Sequence, residues 1–387
     1  MDEGYLFNTY ERFNISFVQG EGCLLFDEGG QSYLDFTSGI SVVNLGHSNN
    51  EISKIVSRQA AQLIHTSNLF NNKNQEVTAK KLSDLTGGGS VFFCNSGAEA
   101  NEAAIKLVRA YGNKKFEGLR YKIITMENSF HGRTFATLSA TGQNKVKVGF
   151  EPTADFFIHI PFNDFEAFYD IAKCNNVVAV MLELIQGEGG VVEANRTYID
   201  RLKSYCAREE ILLICDEIQT GMGRTGHFLA SEIYDVKSDI ITMAKALGNG
   251  IPIGAMIAEK SLVTYLPKGS HGSTFGGNHL ACAAAEKVLD IISGKDFLEN
   301  VKDKGVYFKK RLTELFNDRA HIRGYGLLLG VHLIDLDMRE FINKCIENGL
   351  LLIPSANNTI RVYPPLIVSY DEIDRALDIM SSVLKDF

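Results

Sequence analysis

The chain has 387 residues, a formal charge of −8 and 22% charged positions. That is a globular composition, which excludes a disordered or fibrous chain and, at roughly 150 residues per domain, allows two to three domains. The acidic balance argues against nucleic acid as the main partner, because phosphate backbones are held by concentrated Lys and Arg. Glycine is frequent (35) and proline scarce (7), so backbone can turn tightly or approach a ligand closely at many points. No stretch approaches the roughly 18 apolar residues of a membrane span. The acidic start Met1 to Tyr5 lacks the basic and apolar regions of a signal peptide. The seven cysteines, odd in number and never C-x-x-C, read as reduced, buried thiols of a cytoplasmic protein.

In chain order, Ile52, Ile55, Val56, Ala60, Leu63 and Ile64 have the spacing of a one-faced helix over 51–65. A short strand is expected at 91–94. Ser96-Gly-Ala-Glu99 reads as a capping box opening a helix through Ala110. Apolar runs predict further strands at 121–126, 156–160, 177–185, 211–216, 240–243 and 254–258, with a helix over 197–209 between two of them. Continuous apolar strands separated by helices imply a mostly parallel sheet covered on both faces. After Asn278 long helical stretches (279–293, 297–316) precede a strand over 326–334 and two more strand–helix pieces. The expected organisation is a large α/β domain over 51–278. A smaller α/β domain would be built from 1–50 plus 279–387.

Several segments carry side chains suited to chemistry. The turn Phe93-Cys-Asn-Ser-Gly-Ala-Glu99 would aim free N–H groups and a helix dipole at one point, which suits a phosphate; a plain capped helix accounts for it equally well. Asp216, Glu217 and Gln219 end an apolar strand, where open α/β sheets place ligands. Asp216 and Ile218 share a face there, able to pair with a protonated ring nitrogen and pack beneath the ring. Lys245 closes an apolar strand before a Gly-rich turn, a position for a Schiff-base lysine or for a surface lysine. Asn128-Ser-Phe-His-Gly-Arg-Thr134 offers an aromatic plane, an imidazole and a guanidinium shaped for a carboxylate. Glu183 and Glu188 stand at another strand end, and His271-Gly-Ser-Thr-Phe275 sets two hydroxyls in a flexible loop. Gly221-Met-Gly-Arg-Thr-Gly226 fits G-x-G-x-x-G, but no strand feeds its glycines directly, so a dinucleotide fingerprint is rejected.

Taken together and in order, FFCNSGAEANEAAIKL, SFHGRT, IQGEGGVV, DEIQTGMGRTG, TMAKALGNG and HGSTFGGN resemble the class-III (subgroup II) pyridoxal-phosphate aminotransferases of fold type I. The resemblance runs from about Gly20 to Tyr370 and is closest to the branch acting on N2-acetylornithine. It implies a large mostly parallel-sheet domain plus a smaller α/β domain, pyridoxal 5′-phosphate as cofactor, no metal, and a homodimer with its site at the subunit interface. Lys245 would hold the cofactor as a Schiff base and shuttle the proton, and Asp216 would face the pyridine nitrogen. Phe130 and Ile218 would sandwich the ring, and Gln219 would reach its phenolic oxygen. Gly97 and Ala98 would bind the phosphate, joined by Thr274 from the neighbouring subunit, and Ser96 and His131 would also contact the cofactor. Arg133 would bind the substrate α-carboxylate, Ser273 would lie near the distal end of the substrate, and Glu188 would mask a second carboxylate-binding arginine, Arg361. Arg133, Lys245 and Arg361 would then make a positive pocket in a negative protein.

The implied reaction moves the δ-amino group of N2-acetylornithine to 2-oxoglutarate, giving N-acetylglutamate 5-semialdehyde and glutamate, a step of arginine biosynthesis. Ile40 stands where ornithine enzymes of the family carry a tyrosine, which favours an acylated α-amino group. Leu184 replaces a proline usual in the family, Tyr10 aligns with a tyrosine used by ornithine enzymes, and 4-aminobutyrate enzymes also carry an aliphatic residue near Ile40. Ornithine, 4-aminobutyrate and N-succinyl donors such as succinyldiaminopimelate therefore stay open.

Overall fold

A computed structural model describes residues 4–174 and 176–387; the first three residues of the acidic start lie outside the described residues. The chain opens with an antiparallel meander of β1 (Phe17–Glu21), β2 (Leu24–Asp27) and β3 (Ser32–Asp35). Helices Asn50–Gln62 and Lys73–Leu85 follow, each begun by an asparagine (Asn49, Asn72) whose side chain accepts from the first turn's N–H groups, an N-cap in both cases. Next come β4 (Ser90–Cys94), the helix Gly97–Lys115, β5 (Lys122–Met126), β6 (Phe157–Ile160) and β7 (Val177–Leu182). A two-stranded ribbon of β8 (Ile185–Gln186) and β9 (Val192–Glu193) leads to the helix Arg196–Glu209 and β10 (Leu212–Asp216), then β11 (Ile240–Met243) and β12 (Gly254–Ala258).

Seven of these strands form one sheet in the order β4-β12-β11-β10-β7-β5-β6. Only β12 runs antiparallel to its neighbours. Its central strands are buried on both faces. Val180, Leu182, Leu213 and Cys215 pack with Ile199, Leu202 and Cys206 of the helix Arg196–Glu209. The alternate residues Ala179, Met181, Leu212 and Ile214 pack with Ala104, Leu107 and Val108 of the helix Gly97–Lys115. Each fully buried aliphatic side chain of this kind contributes about 1.5–3 kcal/mol of transfer free energy. Every crossover between the parallel strands leaves their carboxyl ends on one side, where open sheets bind ligands.

The helix from Gly97 runs five residues past its predicted end. Gly112 does not stop it; the residue is glycine because a Cβ there would lie 2.1 Å from the Arg120 carbonyl oxygen. The predicted strand over 177–185 breaks at Leu182, and Ile185–Gln186 pairs with β9 instead. The second half of the chain carries one strand that the apolar pattern did not reveal, β13 (Ala320–Tyr325). It heads the antiparallel sheet β13-β14-β17-β16, with β14 at Leu328–Leu333, β16 at Ile353–Ser355 and β17 at Thr359–Val362. The intervening β15 (Leu350–Leu351) adds parallel to β3. Tyr33, Leu34 and Phe36 thereby share a core with Phe308, Leu312, Phe341 and Met380. The sequence reading begins the smaller part at His279. In the structure the helix His279–Ile292 shares a core with Ile52, Leu82 and Phe93, while Val301 and Phe308 of the next helix pack with Tyr33, Leu34 and Phe36.

Among the described residues no helix is long and apolar enough to cross a membrane. All seven cysteines are free; six are buried, and Cys174 is exposed, in contrast to the expectation for all.

Candidate active site

The carboxyl ends of β4, β5, β7, β10 and β11 open onto one cavity of about 450 Å³. Five loops supply its wall: Ser96, Gly97 and Ala98 after β4; Phe130, His131 and Arg133 after β5; Glu183 and Glu188 after β7; Asp216, Ile218 and Gln219 at the end of β10; Lys245 after β11. Residues separated by up to 149 positions in sequence are thus brought around a space of the size that encloses a small organic molecule.

At one end lies the start of the 19-residue helix Gly97–Lys115. Ser96 caps it, its Oγ accepting from the Glu99 N–H at 3.2 Å. The Glu99 carboxylate reaches back to the Asn95 N–H, one residue earlier than a capping box would place it. No described group accepts from the N–H of Gly97 or Ala98, so two orphan donors face the cavity at the positive end of the helix. Glycine is needed at position 97, because a Cβ would come within 2.8 Å of Ile218 Cδ1.

On the cavity floor Asp216 is held by three donors. His131 Nδ1 and Asn101 Nδ2 each lie 2.8 Å from Oδ2, and the Ile218 N–H donates to Oδ1 at 3.1 Å. Asn101 also donates to the His131 carbonyl at 2.7 Å, and Thr141 Oγ1 accepts the His131 N–H at 3.0 Å. His131 therefore acts on the carboxylate rather than standing beside it. Sequence reasoning missed Asn101 and Thr141. Asn101 was findable, since it lies one turn beyond Gly97 on the same helix face. Glu217 points the other way, accepting from the N–H groups of Ala230 and Ser231 at 3.0 and 2.8 Å, as strand alternation requires.

Lys245 stands above this floor with φ +44°, a left-handed backbone that costs a non-glycine residue energy and clusters at functional sites. Its amine makes no ion pair among the described residues, and burial pushes its pKa down, opposed by Glu188 and aided by Arg361. Glu183 leaves the β7 ladder to line the cavity, accepting the Phe130 N–H at 3.3 Å. Burial, then the nearby Asp216, pushes its carboxyl well above the usual range.

Arg361, on β17, reaches across to Glu188. Nη1 donates to the Glu188 carboxylate and Nη2 to the Pro354 carbonyl at 2.9 Å, while Nε has no partner. Arg133 is exposed at the mouth, with its guanidinium 5.4 Å from the Phe130 ring centre and no ion pair among the described residues. Gln219 Oε1 accepts from the Tyr363 hydroxyl at 3.3 Å. Four residues proposed from sequence do not line the cavity: Arg361, which is paired with Glu188, and Ser273, Thr274 and Ile40. Ser273 contacts its neighbour Asn95 (Oγ to Nδ2, 3.3 Å), Thr274 is exposed, and Ile40 is 37% exposed. Ile40 sits in a run of four left-handed residues, Ser38 to Ser41, which for a β-branched side chain is a strained conformation; Val42, two residues on, does line the wall.

Comparison with known proteins places this geometry. A profile of the family described as Aminotransferase class-III matches residues 6–384. The chain is 47% identical over 388 aligned positions to an acetylornithine aminotransferase of Caldanaerobacter subterraneus subsp. tengcongensis, covering 100% of this chain and 98% of that one. Among solved structures it is similar to an ornithine aminotransferase from Toxoplasma gondii ME49, with TM-score 0.95 and 31% identity over 100% of this chain and 93% of that one. It is also similar to an N-acetylornithine aminotransferase from Stenotrophomonas maltophilia K279a, with TM-score 0.85 and 32% identity over 98% and 97% of the two chains.

Proposed function

The chain belongs to the class-III aminotransferases, and from that premise we propose that it moves the δ-amino group of N2-acetylornithine to 2-oxoglutarate, with pyridoxal 5′-phosphate as cofactor. The observation that carries the reading is a half-buried lysine amine, without an ion pair among the described residues, sharing one cavity with a triply held aspartate and two orphan N–H donors. Those three features match the three ends of the cofactor: aldehyde, ring nitrogen and phosphate. When bound, the cofactor supplies an electron sink for the bond broken at the substrate carbon.

The protein's own residues supply the rest. The Gly97 and Ala98 N–H groups hold the phosphate, and Asp216, fixed by His131 and Asn101, holds a proton on the ring nitrogen. Phe130 and Ile218 confine the two ring faces. Lys245, its amine pushed toward the neutral form by burial, is the base that takes and returns a proton at Nζ. Arg133 grips the α-carboxylate. Glu188 covers Arg361 until a second carboxylate replaces it, since a buried guanidinium is costly to leave unpaired.

The donor is supported by relatives at 43–47% identity over nearly the whole chain that are named acetylornithine aminotransferases. A dimer is supported by the exposed apolar side chains Leu69, Phe70 and Phe275 (91%, 70% and 62% exposed) beside Thr274, which stays outside its own cavity and would complete the partner's. The two-domain division and a cytoplasmic location, supported by the six buried free thiols, belong to the same proposal. The deciding experiment compares donors. N2-acetylornithine should show a kcat/KM at least roughly tenfold above ornithine, about 1.4 kcal/mol of transition-state binding, and Lys245→Ala should abolish turnover with both. Equal rates for the two donors would overturn the choice of donor, and turnover by the variant would overturn the mechanism.

A further inference from the structure

Tyr363 follows β17, two residues beyond Arg361, and none of it reaches solvent. Its backbone is pinned on both sides by the N-terminal segment: its N–H donates to the Phe36 carbonyl at 2.8 Å and its carbonyl accepts from Ser38 Oγ at 2.6 Å. The guanidinium carbons of Arg224 and Arg361 each lie 6.0 Å from the ring centre, at the outer limit of cation–π attraction. Ring and backbone are therefore fixed, and the hydroxyl has one direction to point. It donates to Gln219 Oε1 at 3.3 Å. Burial pushes the phenol far above its usual range, so the hydroxyl keeps the proton it donates.

A primary amide has one oxygen and one NH2 group on opposite prongs. With Oε1 committed to Tyr363, the Nε2 prong of Gln219 is turned the other way, into the cavity that Gln219 lines, and no described group accepts from it. Gly187 leaves the room for this arrangement. A Cβ there would lie 1.5 Å from Gln219 Oε1 and 3.2 Å from the Tyr363 hydroxyl.

We propose that Tyr363 is a positioning residue that fixes the polarity of Gln219, so that its NH2 and not its carbonyl faces the oxygen at the ring edge of the bound cofactor. The inference rests on the cofactor reading above and adds a residue that touches neither cofactor nor substrate. An N–H donor at that oxygen stabilises its anionic form and weakens the hold of the neighbouring Lys245 nitrogen on its proton. With the lock removed, the amide can turn its carbonyl inward, and the proton is held more tightly. The charged and titratable groups around Tyr363 are Arg361, Glu188, Arg224 and Glu183; Asp216, Lys245 and Arg133 share the cavity. Tyr363→Phe removes none of them.

The test is the visible absorbance of bound pyridoxal 5′-phosphate titrated against pH in wild type, Tyr363→Phe, Gln219→Ala and the double variant. Tyr363→Phe should raise the midpoint by roughly half to one pH unit, about three- to tenfold in proton affinity, as expected for one hydrogen bond. The double variant should match Gln219→Ala alone. A Tyr363→Phe midpoint equal to wild type, or an equal added shift in the Gln219→Ala background, overturns the inference. Should Tyr363→Phe fail to fold, Gly187→Ala displaces Gln219 from the hydroxyl without altering either side chain, and must raise the midpoint likewise; an unchanged midpoint there also overturns it. A wild-type protein with no visible band would instead overturn the cofactor reading.

Discussion

Glu188→Ala would leave the Arg361 guanidinium with a single carbonyl acceptor, that of Pro354 at 2.9 Å, and with Nε already unpartnered. Arg361 is only 5% exposed, so it cannot exchange the lost carboxylate for bulk water. Unpairing a buried cation costs about 3–5 kcal/mol. The Glu188 side chain, however, is 28% exposed, and water entering on that side brings the expected loss to about 2–3 kcal/mol. Glu188→Gln keeps an oxygen for Nη1 and should lose about 1 kcal/mol. Urea unfolding of the three proteins, compared at a common slope, reads these differences. The same geometry predicts the response to ligand. A dicarboxylate such as 2-oxoglutarate, with nothing left to displace, should stabilise Glu188→Ala more than wild type, by linkage through its tighter binding, and its KM should fall. A Glu188→Ala protein as stable as wild type, or stabilised by 2-oxoglutarate to the same extent, would refute the view that this pair is a removable cover on a second carboxylate site.

Two further outcomes follow from the structure. Burial, with the Lys147 ammonium 3.1 Å from Nε2, pushes His159 from 6.5 down to about 4. The unfolded chain then takes up a proton that the folded chain refuses, so the stability is whole above pH 6.5 and falls by up to about 3 kcal/mol as the pH drops toward 4. His159→Gln should flatten that acid limb of the urea midpoint, and an unchanged limb would reject the assignment. Gly97→Ala would drive a methyl against Ile218, overpacking worth about 1–3 kcal/mol. Pyridoxal 5′-phosphate should bind roughly tenfold or more weakly by equilibrium dialysis, and unaltered affinity would show that Ile218 and Gly97 do not shape the site together.

The parallel strands were legible because burial on both faces writes them as unbroken apolar runs, and a charged residue closing such a run stands out. Asp216 and Lys245 were visible for that reason. Arg133 and Glu188 lay beside glycine turns at two further strand ends. Other features were hidden by the nature of the forces that make them. Tyr363 and Gln219 are 144 residues apart, and nothing local marks an aromatic as the partner of a distant amide. Gly112 looks like a helix breaker, yet is held in the helix by a carbonyl from a later segment. β13 contains Arg323 between Ile322 and Gly324 and pairs along its full length with β14, so its stability comes from the partner strand and not from its own pattern. Ile40 was chosen as a side chain, but what its position determines first is a left-handed backbone, and no propensity predicts that for a β-branched residue.

Charge shows how far the two readings differ. From sequence, Arg133, Lys245 and Arg361 would make a positive pocket in a protein of charge −8. The structure lines the same cavity with Glu183, Glu188 and Asp216, three carboxylates against the two cations Arg133 and Lys245, while Arg361 lies outside the lining and is paired with Glu188, so no general excess of positive charge exists to draw in a dicarboxylate. The discrimination lies in which charges are already committed. Burial moves Glu183 and Lys245 toward their neutral forms, Asp216 is bound to His131 and Asn101, and Glu188 is bound to Arg361. Among the described residues that line the cavity, Arg133 alone remains an open cation at the mouth. A substrate with one carboxylate would be satisfied there. On the proposed reading a substrate with two would also have to displace Glu188, so the second site would be gated by the strength of one ion pair, and the cavity would accept a monocarboxylate donor and a dicarboxylate acceptor in turn without any change in its net charge.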